Sequence, residues 1–505
     1  MSKDFSTLTY KNYNELIHSN EYGENNVYLK AHHQSGDVCI YNSDWKISAD
    51  EKTIDGTGIL YDHNRFIKKE GLISTQIDDI VLFETNRKLN YKERIIAGRT
   101  LLIGLDVALG VVCIIDPKIC FGSCPTFYID ETKDVYFSDA EGFSSAILPR
   151  KEYLDIDALS HTVKGGTEFD ITMKNEALET HCINHVDLYA VPKTPNFEIF
   201  QSPENKFFNC SQVIPISNAS HDNEFITEKL ESADYDEVFE ESDSLNMKSR
   251  DQIYINFNCD ESNKDLGLVL SFRQSLMTTY ILYNGMSYMG HMFSDFFAKS
   301  EREGILENDI MKHLGGIDVY QWDEISQSWL LLGSFNETGP IAFNKQILPF
   351  KRASKNIEVK LKLEFNKGLW KFDYAGLAVL EDSIQPYKIQ PHNVTIKSQV
   401  DDESLELLNN EGHLISMPGS NYKLSYNIPN EHDNYELFIA SQGYYLEWMR
   451  ESWLDDVDIP KVLTMKYRPK KFLKDHALDY KKYESISEEL FWGSRIDSDQ
   501  FSYYE

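Results

Sequence analysis

From Ile357 to Phe365 apolar and charged residues alternate without a break. Ile, Val, Leu, Leu and Phe lie on one face; Glu, Lys, Lys and Glu lie on the other. A period of two is the mark of a half-buried strand. Similar runs surround it, "GIDVYQWDE", "SWLLLGSFNE", "IAFNKQILPF" and "GLWKFDYAGLAVLE", and together they predict a β-sandwich over residues 316–400. Further strands are expected in "YKLSYNIP" and "YELFIASQGYY".

The same signals recur upstream. Residues 26–86 hold four β-rich runs parted by Gly, Asp and Asn clusters, which predicts a meander closing a small barrel or sandwich. Residues 117–195 predict a second β unit. Its "PTFYID" and "DVYFSDA" suit a hairpin, and strands Phe169–Lys174 and Val186–Val191 are joined by a polar connection. Two segments break the pattern. Between Asp222 and Asp243 ten acidic residues face one Lys, which predicts an acidic linker or mobile loop. Between Leu266 and Lys299, Val269, Phe272, Leu276, Tyr280, Tyr283, Met286, Phe293 and Phe297 recur at steps of three and four. That spacing predicts a buried helix, weakened by Gly285 and Gly290.

The fold class expected is therefore mainly β (α+β), with several β-sandwich or barrel-like domains and a central helical element. The divisions are 1–98 (meander), 99–116 (apolar connecting helix), 117–221 (second β domain), 222–250 (acidic linker), 251–315 (helical element), 316–400 (β-sandwich) and 401–505 (C-terminal β region and tail).

Composition narrows the partners. At 505 residues the chain exceeds one core, and 13 % aromatic content argues against general disorder. Lys plus Arg number 50 against 81 Asp plus Glu, a net charge of −31 that repels nucleic acid and bare anionic lipid. The start of the chain carries no basic-then-apolar leader, so the expectation is either a cytoplasmic protein or one whose export signal has been removed. Thr100–Ile115 is apolar but holds Asp106 and falls short of the roughly 20 residues that span a bilayer. It is expected to dock as a helix between two β domains, with membrane association as the alternative.

Candidate chemistry is sparse. Cys120 and Cys124 flank Gly122 and Ser123 ahead of Pro125, a composition suited to a tight turn. The CxxxC spacing is neither the CxxC of thioredoxin-like sites nor a zinc ribbon. A disulfide is favoured, with buried free thiols and metal or redox chemistry as alternatives. His181 and His185 in "ETHCINH" would share a helical face, yet they lie between β runs, so packing is the favoured role. No cofactor and no metal are expected, and GxSxG, P-loop and Rossmann patterns are absent. Trp370, Phe372 and Tyr374 alternate beside Asp373, a mix able to stack on a sugar ring and bond its hydroxyls.

The blocks "CFGSCPTFYI", "AEGFSSAILPRKEYLDIDAL", "KNEALETHCINHVDLYAVP", "FNETGPIA", "NKGLWKFDYAGLAVL" and "QGYYLEWMRESW" resemble a family of uncharacterised bacterial proteins common in Bacteroidota, many of them exported lipoproteins. The resemblance spans roughly residues 25 to 495 in scattered blocks, the first being the most specific. It implies fold-level organisation and a place in the cell envelope, periplasmic or on the outer-membrane surface, not a reaction. The chain departs from the exported pattern by lacking a leader and a lipobox cysteine. The expectation is a non-enzymatic interaction protein, foremost an accessory subunit of an outer-membrane assembly with protein partners. A carbohydrate-binding surface protein is the first alternative and an undetected hydrolase the second.

Overall fold

A computed structural model describes residues 29–85, 124–293, 310–447 and 453–493, apart from short breaks within them. The described chain is mainly β, 52 % strand against 17 % helix, arranged as several antiparallel sheets. Thr100–Ile115, Asp106 and Cys120 lie outside the described residues.

The N-terminal meander forms one six-stranded sheet from Leu29–His33 to Ile80–Thr85. It holds its own small core of Leu29, Ala31, Cys39, Tyr41, Trp45, Ile54 and Ile73. The Tyr41 hydroxyl reaches across that core to the Ile54 carbonyl at 3.1 Å and the Thr75 hydroxyl at 2.5 Å, so this buried polar group is paired.

Beyond it, strands distant in sequence pair. Glu168–Lys174 lies against Asn421–Asn427, and Glu179–Pro192 runs beside Asn434–Glu447 over almost its whole length. Two sheets result, one of six strands and one of five, and they enclose a common core that includes Phe127, Phe143, Ile183, Leu424 and Leu437. Between these paired halves the chain from Glu198 to Ile384 builds a second module. Five strands, Glu198–Gln201, Phe207–Ile214, Trp370–Ile384, Asp265–Gln274 and Asn344–Lys351, close into a barrel. Six others form an open sheet in the order Glu224–Phe225, Asn218–His221, Arg250–Asn258, Glu358–Asn366, Ile317–Asp323, Ser328–Phe335. Barrel and sheet share the largest core of the protein, into which the helix Met277–Met289 and the C-terminal Phe472, Leu473 and Tyr480 also pack.

The structure departs from the sequence reading in three places. Leu266–Lys299 is not one helix. Asp265–Gln274 is a strand paired on both sides, followed by the helix Met277–Met289. Leu268 and Leu270 face the main core while Val269 faces another, so both faces are apolar and no period of two survives to mark a strand. Second, "ETHCINH" belongs to one continuous strand, Glu179–Pro192, with an irregularity between Ile183 and His185. His181 is buried and bonds Glu179 at 3.1 Å. Third, the acidic stretch 222–250 is not a free linker: Glu224–Phe225 joins the open sheet, and the part around Asp234–Val238 is a strap laid across the barrel. Val238 and Phe372 exchange backbone hydrogen bonds at 2.7 and 3.1 Å, and Glu237 pairs with the buried Arg273 at 2.6 Å. The divisions at 222, 251 and 316 therefore do not mark separate bodies, because strands on either side of each one share the same sheets.

Candidate functional site: an aromatic face on the open sheet

The residues expected to stack on a sugar lie elsewhere than expected. Trp370 and Phe372 are each 1 % exposed and pack edge to face with Phe272 and Phe365 respectively. Asp373 is also buried. It accepts backbone N–H groups from Asp234 at 3.2 Å and Tyr235 at 2.6 Å, which fixes the acidic strap, and burial raises its pKa to about 6. Tyr374 points to the other side of the strand, within 5.3 Å of Lys345. Alternation along Trp370–Ile384 thus serves two interiors, because a barrel strand here has core on one face and a second apolar cluster on the other.

Cys124 carries a free, buried thiol, and no disulfide occurs among the described residues; its expected partner Cys120 lies outside them. Burial, reinforced by the nearby Glu141, pushes the Cys124 thiol well above its ordinary pKa.

Solvent-facing aromatic residues gather instead on the outer face of the open sheet. Ile253, Ile255 and Phe257 of Arg250–Asn258 point into the core, so Gln252, Tyr254 and Asn256 point out. The register carries this face across the sheet. Tyr254 lies opposite Lys362, Lys362 opposite Tyr320, and Tyr320 opposite Leu331. Trp322 lies opposite Trp329 in the last strand pair. Ring centroids are 5.4 Å apart for Trp322–Trp329 and 5.8 Å for Tyr254–Trp329, at interplanar angles of 65° and 53°. None of the four rings belongs to the core beneath the sheet. Tyr254 is 40 % exposed and the other three are half-buried.

Polar groups interleave with these rings and are largely paired with one another. The Lys362 ammonium lies 4.2 Å from the Tyr320 ring centre and 3.2 Å from Glu364. Arg250 pairs with Asp318 at 2.9 Å, Ser334 donates to Asp318 at 2.6 Å, and Tyr254 donates to Gln252 at 2.8 Å. Desolvation, then the nearby Glu364 and Asp318, raise the Tyr320 pKa, so its phenol remains a neutral donor. The face is therefore amphipathic and close to charge-balanced on a strongly acidic protein. Such a surface offers ring faces for C–H groups and short polar side chains for hydroxyls. Tilted rings make a relief of ridges, which fits a single flexible chain better than a flat crystalline surface.

One sequence signal pointed here: Tyr320 and Trp322 stand two apart in "DVYQWDE" and so share a face. Tyr254 and Trp329 join them only through strand register, which the sequence does not display.

A second cluster involves His221, Asp222 and Asp251, whose potential ligand atoms lie within 4.8 Å of one another. Its centre is an internal pair, His221 Nε2 to Asp251 Oδ2 at 2.9 Å.

No protein-family description matches the chain, and no curated protein does. Two solved structures of infectious bursal disease virus show a distant likeness. One, of the Gt strain, is 11 % identical with a TM-score of 0.12, covering 66 % of this chain and 94 % of that one. The other, a VP2 subviral particle, is 11 % identical with a TM-score of 0.14, covering 78 % and 98 %. Likeness that slight carries no argument about fold or activity.

Proposed function

We propose that the chain is a non-enzymatic binding protein of the cell envelope that holds a neutral glycan on the outer face of its open sheet. The supporting observation is the gathering of Tyr254, Tyr320, Trp322 and Trp329 on one solvent-facing surface with paired polar side chains between them. Paired charges leave little net field to recruit an ionic ligand. Aromatic rings held by a rigid sheet bind with little loss of side-chain entropy. The test is a glycan array probed with the full chain. Binding to neutral glycans is expected, at least about tenfold weaker for Trp322→Ala or Trp329→Ala, with Tm little changed. No glycan above background would remove this reading.

A second reading, docking to a protein partner in an envelope assembly, is favoured by one observation. Ser328–Phe335 is the terminal strand of the sheet, and Ile325, Leu330 and Leu331 beside and along it are 87, 42 and 60 % exposed. An open edge with apolar side chains invites strand addition. Co-purification of a defined partner from native membranes, abolished by Leu331→Lys, would support it. An unchanged partner would count against it.

A further inference from the structure

Where the two modules meet, acidic side chains converge without a basic partner. Asp155 and Asp157 stand two apart on Tyr153–Lys164 and share a face, and Glu141 ends the neighbouring strand Ala140–Glu141. From the barrel module, the segment Gly339–Asn344 closes over them. These residues line a cavity of about 10 Å³, room for one ion or one water. Glu141 is 3 % exposed, Asp157 8 % and Asn344 6 %. A Cβ on Gly339 would fall 2.0 Å from the Glu141 carboxylate, so the close approach of this segment needs glycine.

The hydrogen bonds show which oxygens are spoken for. One Glu141 oxygen accepts from the backbone N–H of Ile341 at 2.8 Å and of Ala342 at 3.3 Å. Asp157 accepts from the Glu141 backbone N–H at 2.9 Å and from Asn344 Nδ2 at 3.2 Å. The second Glu141 oxygen and Asn344 Oδ1 have no partner. Turning the Asn344 amide over would bring its oxygen against Asp157, so the orientation with Oδ1 unpartnered is the favourable one. No Lys or Arg forms an ion pair with the three carboxylates among the described residues. Arg273, whose charge is felt at Glu141, is itself bound to Glu237 at 2.7 Å.

We propose that this cavity binds a divalent cation, calcium by preference, ligated by Glu141, Asp157 and Asn344 Oδ1, with Asp155 adding charge from the cavity wall. An all-oxygen donor set selects a hard cation. Calcium tolerates irregular sets of protein oxygens and sheds its waters more readily than magnesium, which demands near-ideal octahedral geometry. The three carboxylates do not all come within 4.8 Å of one another, since the group meeting that spacing is His221, Asp222 and Asp251. At most two of them therefore ligate directly in this arrangement. Bound there, the ion ties the paired-sheet module to the barrel and neutralises charge that is otherwise costly to bury.

The experiment strips the full chain with chelator, adds calcium at pH 8, and counts calcium retained after gel filtration. One calcium per chain is expected for wild type and for His221→Ala, with none for Asp157→Asn. Calcium should also raise the wild-type Tm by at least about 3 °C. Should Asp157→Asn fail to fold, Asn344→Asp decides. The added carboxylate tightens calcium binding at least about tenfold if the ion sits here, and leaves it unchanged if it does not. No retained calcium, or calcium lost on His221→Ala and kept by Asp157→Asn, overturns the proposal.

Discussion

Glu141 gives the sharpest energetic consequence of the buried acidic cluster. Burial raises its pKa from 4.5 to about 7, opposed by the Ile341 and Ala342 N–H groups and reinforced by Asp155. In the folded chain it keeps its proton up to about pH 7, whereas unfolded it ionises near 4.5. Between those values the folded state binds more protons than the unfolded state, so stability falls as pH rises. That difference corresponds to about 3 kcal/mol, present below pH 4.5 and lost above about pH 7. Glu141→Gln removes the titration while keeping an oxygen to accept from Ile341. Urea unfolding in chelator from pH 4.5 to 8 should show wild type losing about 3 kcal/mol relative to this variant as pH rises. Calcium should erase most of that difference at pH 8. A constant wild-type-minus-variant difference across the range would refute the argument, because an unperturbed carboxyl would already be ionised in both states.

Other expectations are direct. Trp370→Ala should cost about 3–5 kcal/mol by chemical denaturation, since the ring is core. Cys124 should resist iodoacetamide in the native chain and react fully in denaturant, and native labelling would contradict its buried, protonated thiol. Arg273→Ala should destabilise by about 3 kcal/mol and expose the strap around Val238 to limited proteolysis, whereas wild type resists there.

How much of this was legible beforehand varied with the physics behind each feature. Strands with one wet face, such as Glu358–Asn366, announce themselves by alternation. Asp265–Gln274 does not, because apolar clusters cover both its faces and its apolar residues fall by chance at helical steps. Acidic composition suggested a free linker, yet Glu237 answers a buried Arg273 and the Asp234 and Tyr235 N–H groups answer Asp373. Those partners are more than thirty residues away, and composition carries no record of them. The aromatic face was half legible. Tyr320 and Trp322 share a strand, but Tyr254 and Trp329 arrive through pairings whose register depends on the closed fold. The Glu141 cluster was least legible, since Glu141, Asp157 and Asn344 come from two modules.

The proposed glycan site lies on the outer sheet face and not on the Trp370 strand. Isothermal titration of the strongest array glycan into wild type, Trp329→Ala and Trp370→Phe tests it most directly. Trp370→Phe keeps the core filled and removes a buried indole N–H that has no acceptor, so it should fold and bind as wild type does. Trp329→Ala should weaken binding at least about tenfold with its Tm held. Equal affinity for Trp329→Ala, or loss confined to Trp370→Phe, would contradict that placement.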